Sequence, residues 1–140
     1  MILGTGVDIV DIASFAAQLA EPGTRFEKVF TARERRTAQE RAVRRGGSDG
    51  AVAEHLAARW AAKEAFVKAW SAALYGSAPL LPEAVWSQIE VVADQWGRPG
   101  LRLYGEVEKK FAALGETRVH VSLSHDGPVA VAFVVVDGRV

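Results

Sequence analysis

This sequence predicts an α+β fold, on three observations. Strand-like runs lie at both ends of the chain. A long alanine-rich stretch without Gly or Pro lies in the middle, and such a stretch reads as helix. Turn residues punctuate the rest, so strands and helices segregate. Met1 to Val10 mixes small, apolar and β-branched residues and reads as a strand. Asp11 can cap a short helix, Ile12 to Ala20, which Pro22-Gly23 ends. Phe26 and Phe30 bracket a turn of helix. Thr31 can cap the next helix, with Glu34 at the capping-box position. Gly46 to Gly50 is a flexible break, too short to divide domains. The long helix runs from about Ala51 to Leu74, and Gly76, Pro79 and Pro82 end it. Ile89 to Ala93 reads as a strand, and Gly97-Arg98-Pro99-Gly100 as a turn. Tyr104 to Leu114 reads as an amphipathic helix with Gly115 as its C-cap. Arg118–Leu123 and Val129–Val136, joined by Asp126-Gly127-Pro128, read as a hairpin.

Size and composition bound the function. The 140 residues form a single domain, residues 1–140, with 49% apolar residues and enough length for one core. There is no cysteine, which excludes disulfides and thiolate metal sites and fits a reducing compartment. The N-terminus lacks a signal-peptide pattern. No apolar run approaches the ~20 residues of a membrane span. A cytoplasmic location, without membrane association, is the expectation. Seventeen basic residues balance seventeen acidic ones, so global charge offers no case for a polyanionic partner. Locally, Thr31 to Arg45 holds Arg33, Arg35, Arg36, Arg41, Arg44 and Arg45 against Glu34 and Glu40, a balance of +4. That run is either a solvated helix face or a landing strip for an anionic partner.

The chemistry concentrates in Arg59 to Trp70. Leu56, Trp60, Lys63, Val67, Trp70 and Leu74 follow a 3–4 spacing, one apolar stripe with a single lysine in it. Lys63 reads as a structural lysine whose head snorkels outward. Glu64 and Lys68 sit four apart and project side by side. Together they suit either a surface ion pair or a point holding a metal ion and a phosphate. Asp8 stands in a strand-like segment of apolar neighbours. A carboxylate buried there needs a hydrogen-bonded partner or a cation. It is either a cap for the following turn or a metal ligand. With Glu64 it would supply part of a Mg²⁺ shell, the rest coming from waters and phosphate oxygens.

Three pieces carry a family resemblance: Gly6-Val7-Asp8-Ile9, Trp60-Ala61-Ala62-Lys63-Glu64-Ala65 with Lys68-Ala69, and His120-Val121-Ser122-Leu123-Ser124-His125. In this order and at these separations the chain resembles the small holo-acyl-carrier-protein synthases, the trimeric group of 4′-phosphopantetheinyl transferases. Phe30-Thr31 with Glu34, and Gly97-Arg98-Pro99, fit the same pattern, and Trp96-Gly97-Arg98-Pro99 looks most like actinobacterial members. The resemblance implies an antiparallel sheet packed against a long central helix, and a homotrimer with active sites between protomers. It implies transfer of 4′-phosphopantetheine from coenzyme A to a serine of an acidic acyl carrier protein or carrier domain. It implies Asp8 and Glu64 as Mg²⁺ ligands, and Glu64 and Lys68 as catalytic, Lys68 on the pyrophosphate. It implies Arg59 and His125 near the 3′-phosphate, with Ser124 beside them, and Gly97, Arg98 and Pro99 lining the nucleotide pocket. The first helix departs from several family members in lacking a basic residue. Ser14, Phe15 and Gln18 are then its expected contacting side chains, and Arg25, Lys28 and the arginine run the sources of positive charge.

Three rival readings remain at this stage. The arginine run alone would suit a nucleic-acid-binding module, which leaves Asp8, Glu64 and Lys68 without purpose. The same carboxylates would suit a Mg²⁺-dependent pyrophosphate hydrolase. A structural subunit of a fatty-acid synthase is the third.

Overall fold

The computed structural model describes residues 1–80, 83 and 85–139; Pro82, expected to help end the long helix, lies outside them. Five strands and four helices are described: β1 (Ile2–Asp11), α1 (Ile12–Ala20), α2 (Ala32–Arg44), α3 (Asp49–Ala73), β2 (Ile89–Ala93), β3 (Pro99–Leu103), α4 (Gly105–Phe111), β4 (Thr117–Asp126) and β5 (Val129–Gly138). Short 3₁₀ turns span Arg25–Lys28, Trp86–Gln88 and Ala112–Leu114. The three terminal strands form one antiparallel sheet in the order β1-β5-β4. β2 and β3 form a separate hairpin. No described helix is long and apolar enough to cross a membrane.

Local signals explain most boundaries. The Asp11 carboxylate accepts from Ser14 N at 2.8 Å, starting α1. Thr31 and Glu34 close the capping box of α2. Ser48 accepts from Ala51 N, so α3 begins at Asp49. The last two residues of the expected glycine-rich break, Asp49 and Gly50, are therefore helical.

The sheet rests on α3 through very small residues. Along β1 the inward positions are Gly4, Gly6, Asp8 and Val10. A Cβ at Gly6 would lie 1.9 Å from the Ala65 carbonyl oxygen, and one at Gly4 would lie 2.1 Å from that of Ala69. Strand and helix thus touch main chain to main chain, as only glycine allows. Along β1 and β5 the outward face of the same sheet is largely apolar. Val7 lies opposite Phe133 and Ile9 opposite Val131. Val7, Ile9 and Phe133 are all exposed.

The structure corrects four expectations. Pro99-Gly100 does not merely close a turn. It opens β3, whose strand character comes from pairing with β2. The helix read as Tyr104 to Leu114 is α only from Gly105 to Phe111 and ends in a 3₁₀ turn. Phe15 is not available for contacts, since it is only 2% exposed, edge-on to Phe26 and Phe30. Lys63 does not snorkel. Its ammonium is fully buried and donates to Glu34 Oε1 (2.7 Å), Val29 O (2.7 Å) and Trp86 O (3.1 Å). Burial holds it below the usual lysine pKa, against the pull of Glu34. Glu34 also accepts from the backbone N–H of Thr31 and Val91. Nearby Glu90 is buried and accepts from Thr31 Oγ1 and Tyr104 Oη. This polar network pins α2 and the β2–β3 hairpin to α3.

Candidate active site

The first cluster sits where β1 crosses α3. The inward alternation of β1 delivers Asp8 two residues beyond Gly6. Lys68 Nζ donates to Asp8 Oδ1 at 2.8 Å and to Val7 O at 3.0 Å. Asp8 Oδ2 is buried and has no partner among the described residues. Glu64 projects one turn before Lys68 on α3. Burial, and then the Asp8 charge, push its carboxyl above the ordinary pKa, while Lys68 and Arg25 pull it back. The hydrogen bond to Asp8 raises Lys68 in turn. Arg25 lies over Phe26 and Trp60, 4.9 and 5.3 Å from the ring centroids. The cluster thus holds two mutually repelling carboxylates with one oxygen unsatisfied. That donor set fits a hard divalent cation. Among the described residues no group of three or more His, Cys, Asp or Glu surrounds it. The protein would give two oxygen-bearing side chains, leaving room for water and phosphate.

The second cluster is basic and lies between α2, α3, β4 and the β2–β3 turn. It surrounds a cavity of about 300 Å³. Arg59 and His55, four apart on α3, line it with Arg41 and Arg45, four apart on α2. Gly97, Pro99 and His125 complete the wall. Burial, with Arg41 beside it, lowers the Arg59 pKa to about 10, so the guanidinium stays charged at neutral pH. Burial and three neighbouring arginines lower His55 to about 3, so its imidazole stays neutral. One carboxylate enters: Glu54 lies 3.2 Å from His125 Nδ1 and 3.3 Å from Arg45. Guanidinium groups without carboxylate partners, facing a cavity, suit a phosphate.

The structure brings Arg59, His125, Gly97 and Pro99 to this one cavity, and Asp8, Glu64 and Lys68 to the other cluster. It does not bring Arg98 or Ser124 to either. Arg98 Nε donates to Asp94 at 2.6 Å, and its guanidinium lies over Trp96. Ser124 is exposed and pairs in register with Val131 on the outward face. Gly97 has φ +85, so the tight turn is what requires glycine there. Sequence reading missed Arg41, Arg45, His55 and Glu54 as cavity residues. The i, i+4 spacings of Arg41–Arg45 and His55–Arg59 were the available signal. Arg59 and Glu64 are five residues apart, roughly 140° around a 3.6-residue helix. The two clusters therefore open on different sides of α3 within one chain.

Residues 4–134 match the model of the 4′-phosphopantetheinyl transferase superfamily, and the chain belongs to this family. Within it, the chain is similar to the holo-[acyl-carrier-protein] synthases of Mycobacterium ulcerans, at 46% identity, and Mycobacterium tuberculosis, at 44%. Each similarity covers 97% of both chains. Among solved structures, the Chronobacterium ammoniagenes ACPS–CoA complex superposes with a TM-score of 0.87 at 45% identity, over 97% of both chains. The holo-(acyl-carrier-protein) synthase of Bacillus anthracis, in complex with CoA (3′,5′-ADP), gives 0.70 at 31% identity over 99% of both.

Proposed function

We propose that the chain is a holo-[acyl-carrier-protein] synthase. It transfers 4′-phosphopantetheine from coenzyme A to a serine of an apo-acyl carrier protein, releasing adenosine 3′,5′-bisphosphate, and so supports fatty acid biosynthesis. The observation that carries this reading is the shared helix. One element, α3, presents both the Arg59 guanidinium of the basic cavity and the side chains of Glu64 and Lys68, Lys68 being paired with Asp8 of β1. Relatives bearing the synthase name cover nearly the whole chain.

In the reaction the serine hydroxyl attacks the β-phosphorus, and the phosphoanhydride bond to the α-phosphate breaks. Lys68 offsets charge on the departing phosphate. Arg59 and Arg41 hold the 3′-phosphate, and the Gly97 turn sets the wall beside it. Asp8 and Glu64 hold Mg²⁺, which when bound polarises the diphosphate. The unsatisfied Asp8 oxygen supports that assignment. Trimer assembly accounts for two features at once. It covers the apolar outward face around Val7, Ile9 and Phe133, and it lets one protomer's carboxylates meet another's basic cavity.

Intact-mass spectrometry tests the activity. The protein, coenzyme A, Mg²⁺ and an acidic apo-carrier should give a carrier heavier by one phosphopantetheine group, and chelation should stop the gain. Release of coenzyme A fragments without carrier modification would favour the pyrophosphate hydrolase. Salt-sensitive polynucleotide binding without transfer would favour the nucleic-acid module.

A further inference from the structure

The N-terminal half of α3 turns one stripe into the basic cavity. Ala51, Glu54, His55, Ala58 and Arg59 line it and stand at i, i+3, i+4, i+7 and i+8 of the helix, the spacing of a single face. The two alanines leave the space, and the three polar side chains form its wall. Glu54 is the only carboxylate among the lining residues. Its Oε1 takes two partners at once, Arg45 Nη1 at 3.3 Å and His125 Nδ1 at 3.2 Å. The carboxylate thus occupies two of the groups that an incoming phosphate would use.

Charge and distance set how strongly the two anions compete. Arg41, Arg45 and Arg59 against Glu54 leave the lining at +2 before His125 is counted, since His55 is neutral. A phosphate monoester carries about −2 near neutral pH, so the cavity matches it with Glu54 in place. From Glu54 to Arg59 the helix advances about 7.5 Å. The screening length at physiological salt is ~8 Å, so a phosphate gripped by Arg59 still meets the Glu54 charge. Under the synthase reading, coenzyme A and the released adenosine 3′,5′-bisphosphate carry the same 3′-phosphate. Grip on that group holds substrate and product alike and does nothing for the chemical step.

We propose that Glu54 is an affinity- and specificity-determining residue of this cavity, an internal anion that competes with the 3′-phosphate for Arg45 and His125 and so limits how tightly the product is retained. The inference rests on the synthase reading for the identity of the ligand. It adds a residue whose charge works against binding, on the same helical stripe as the arginine that promotes it.

Calorimetric titration of the full-length protein tests it with coenzyme A, dephospho-coenzyme A, which lacks the 3′-phosphate, and adenosine 3′,5′-bisphosphate. Glu54→Gln keeps the shape and the acceptor and removes the charge. It should bind coenzyme A and the bisphosphate about tenfold tighter at low salt, the scale of relieving one like-charge contact. At about 1 M salt, where the screening length is about 3 Å, most of that gain should vanish. Dephospho-coenzyme A should bind as it does to the parent, which also certifies the fold. In steady state the inhibition constant of the bisphosphate should fall by the same factor. Glu54→Ala, which removes the acceptor as well, should still tighten both phosphate ligands. Unchanged or weaker binding by Glu54→Gln, or equal tightening of all three ligands, overturns the proposal. A parent that binds neither coenzyme A nor the bisphosphate overturns the synthase reading along with it. A parent that modifies the carrier, alongside a Glu54→Gln variant that binds all three ligands as the parent does, defeats this inference alone.

Discussion

Replacing Lys63 by methionine separates stability from catalysis at the heart of the central motif. Lys63 stands next to Glu64, yet its head points the other way, into a pair with Glu34 in which both side chains are 0% exposed. Methionine fills a similar volume and removes the charge. Glu34 then stays buried without its cation, keeping only the N–H groups of Thr31 and Val91. The carbonyls of Val29 and Trp86 lose a donor. Breaking one side of a buried pair costs about 3–5 kcal/mol, and full burial leaves no solvent screening to reduce it. Domains of this kind have about 5–15 kcal/mol in total. At about 3 °C per kcal/mol for this chain length, Tm should fall by ~10–15 °C. Urea unfolding followed by tryptophan fluorescence reads the loss directly. Adding Glu34→Gln to Lys63→Met removes the stranded charge and should recover about 1–2 kcal/mol, within the usual range of coupling between contacting residues. Turnover at low temperature should survive in the folded single variant. A Lys63→Met protein with an unchanged unfolding curve and no turnover would refute the reasoning and place Lys63 at the reacting centre.

Three other outcomes are expected. Glu64→Gln should abolish transfer yet raise Tm in chelator at neutral pH. The native environment raises the Glu64 pKa, so its contribution is favourable below its unfolded value and is lost as pH rises through the folded one; differential scanning calorimetry across pH checks the sign. His55 is depressed from 6.5 to about 3, so the stability linked to it is present above pH 6.5 and is lost as pH falls toward 3. His55→Phe should therefore move the acid-unfolding midpoint, read by circular dichroism, to lower pH. On the proposed trimer assembly, Phe133→Asp should give monomers in light scattering where the parent gives trimers, and reduce transfer, with Tm of the monomer little altered.

Local features were legible in the sequence and long-range ones were not. The Thr31–Glu34 capping box joins residues three positions apart, and it was readable because its geometry is fixed within one helical turn. Glu34's second role depends on Lys63, 29 residues away, and no spacing rule connects them. Asp8 was legible as anomalous because a carboxylate interrupts an apolar strand. Its unsatisfied oxygen depends on how Lys68 approaches from α3. Phe15 looked accessible on a short helix, yet Phe26 of the following 3₁₀ turn and Phe30 just beyond it close over it. The arginine run was visible as charge, but its division is tertiary. Arg41 and Arg45 turn into the cavity, while Arg35 donates to the Phe26 and Glu27 carbonyls. The β2–β3 hairpin was half visible because Pro99-Gly100 signals a turn, and only pairing with β2 makes it a strand.

The contact between Gly4, Gly6 and the carbonyls of α3 acts as a ruler. Side-chain packing elsewhere can drift under mutation, each change absorbed by a neighbour's rotamer. The spacing between Asp8 and the helix that carries Glu64 has no such slack, because no side chain lies in between to take up the change. A single methyl group added at Gly6 would meet the Ala65 backbone at 1.9 Å and lever the whole strand outward, Asp8 with it. The spacing of the two backbones that carry Asp8 and Glu64 is thus a property of the main chain, set by the absence of two Cβ atoms.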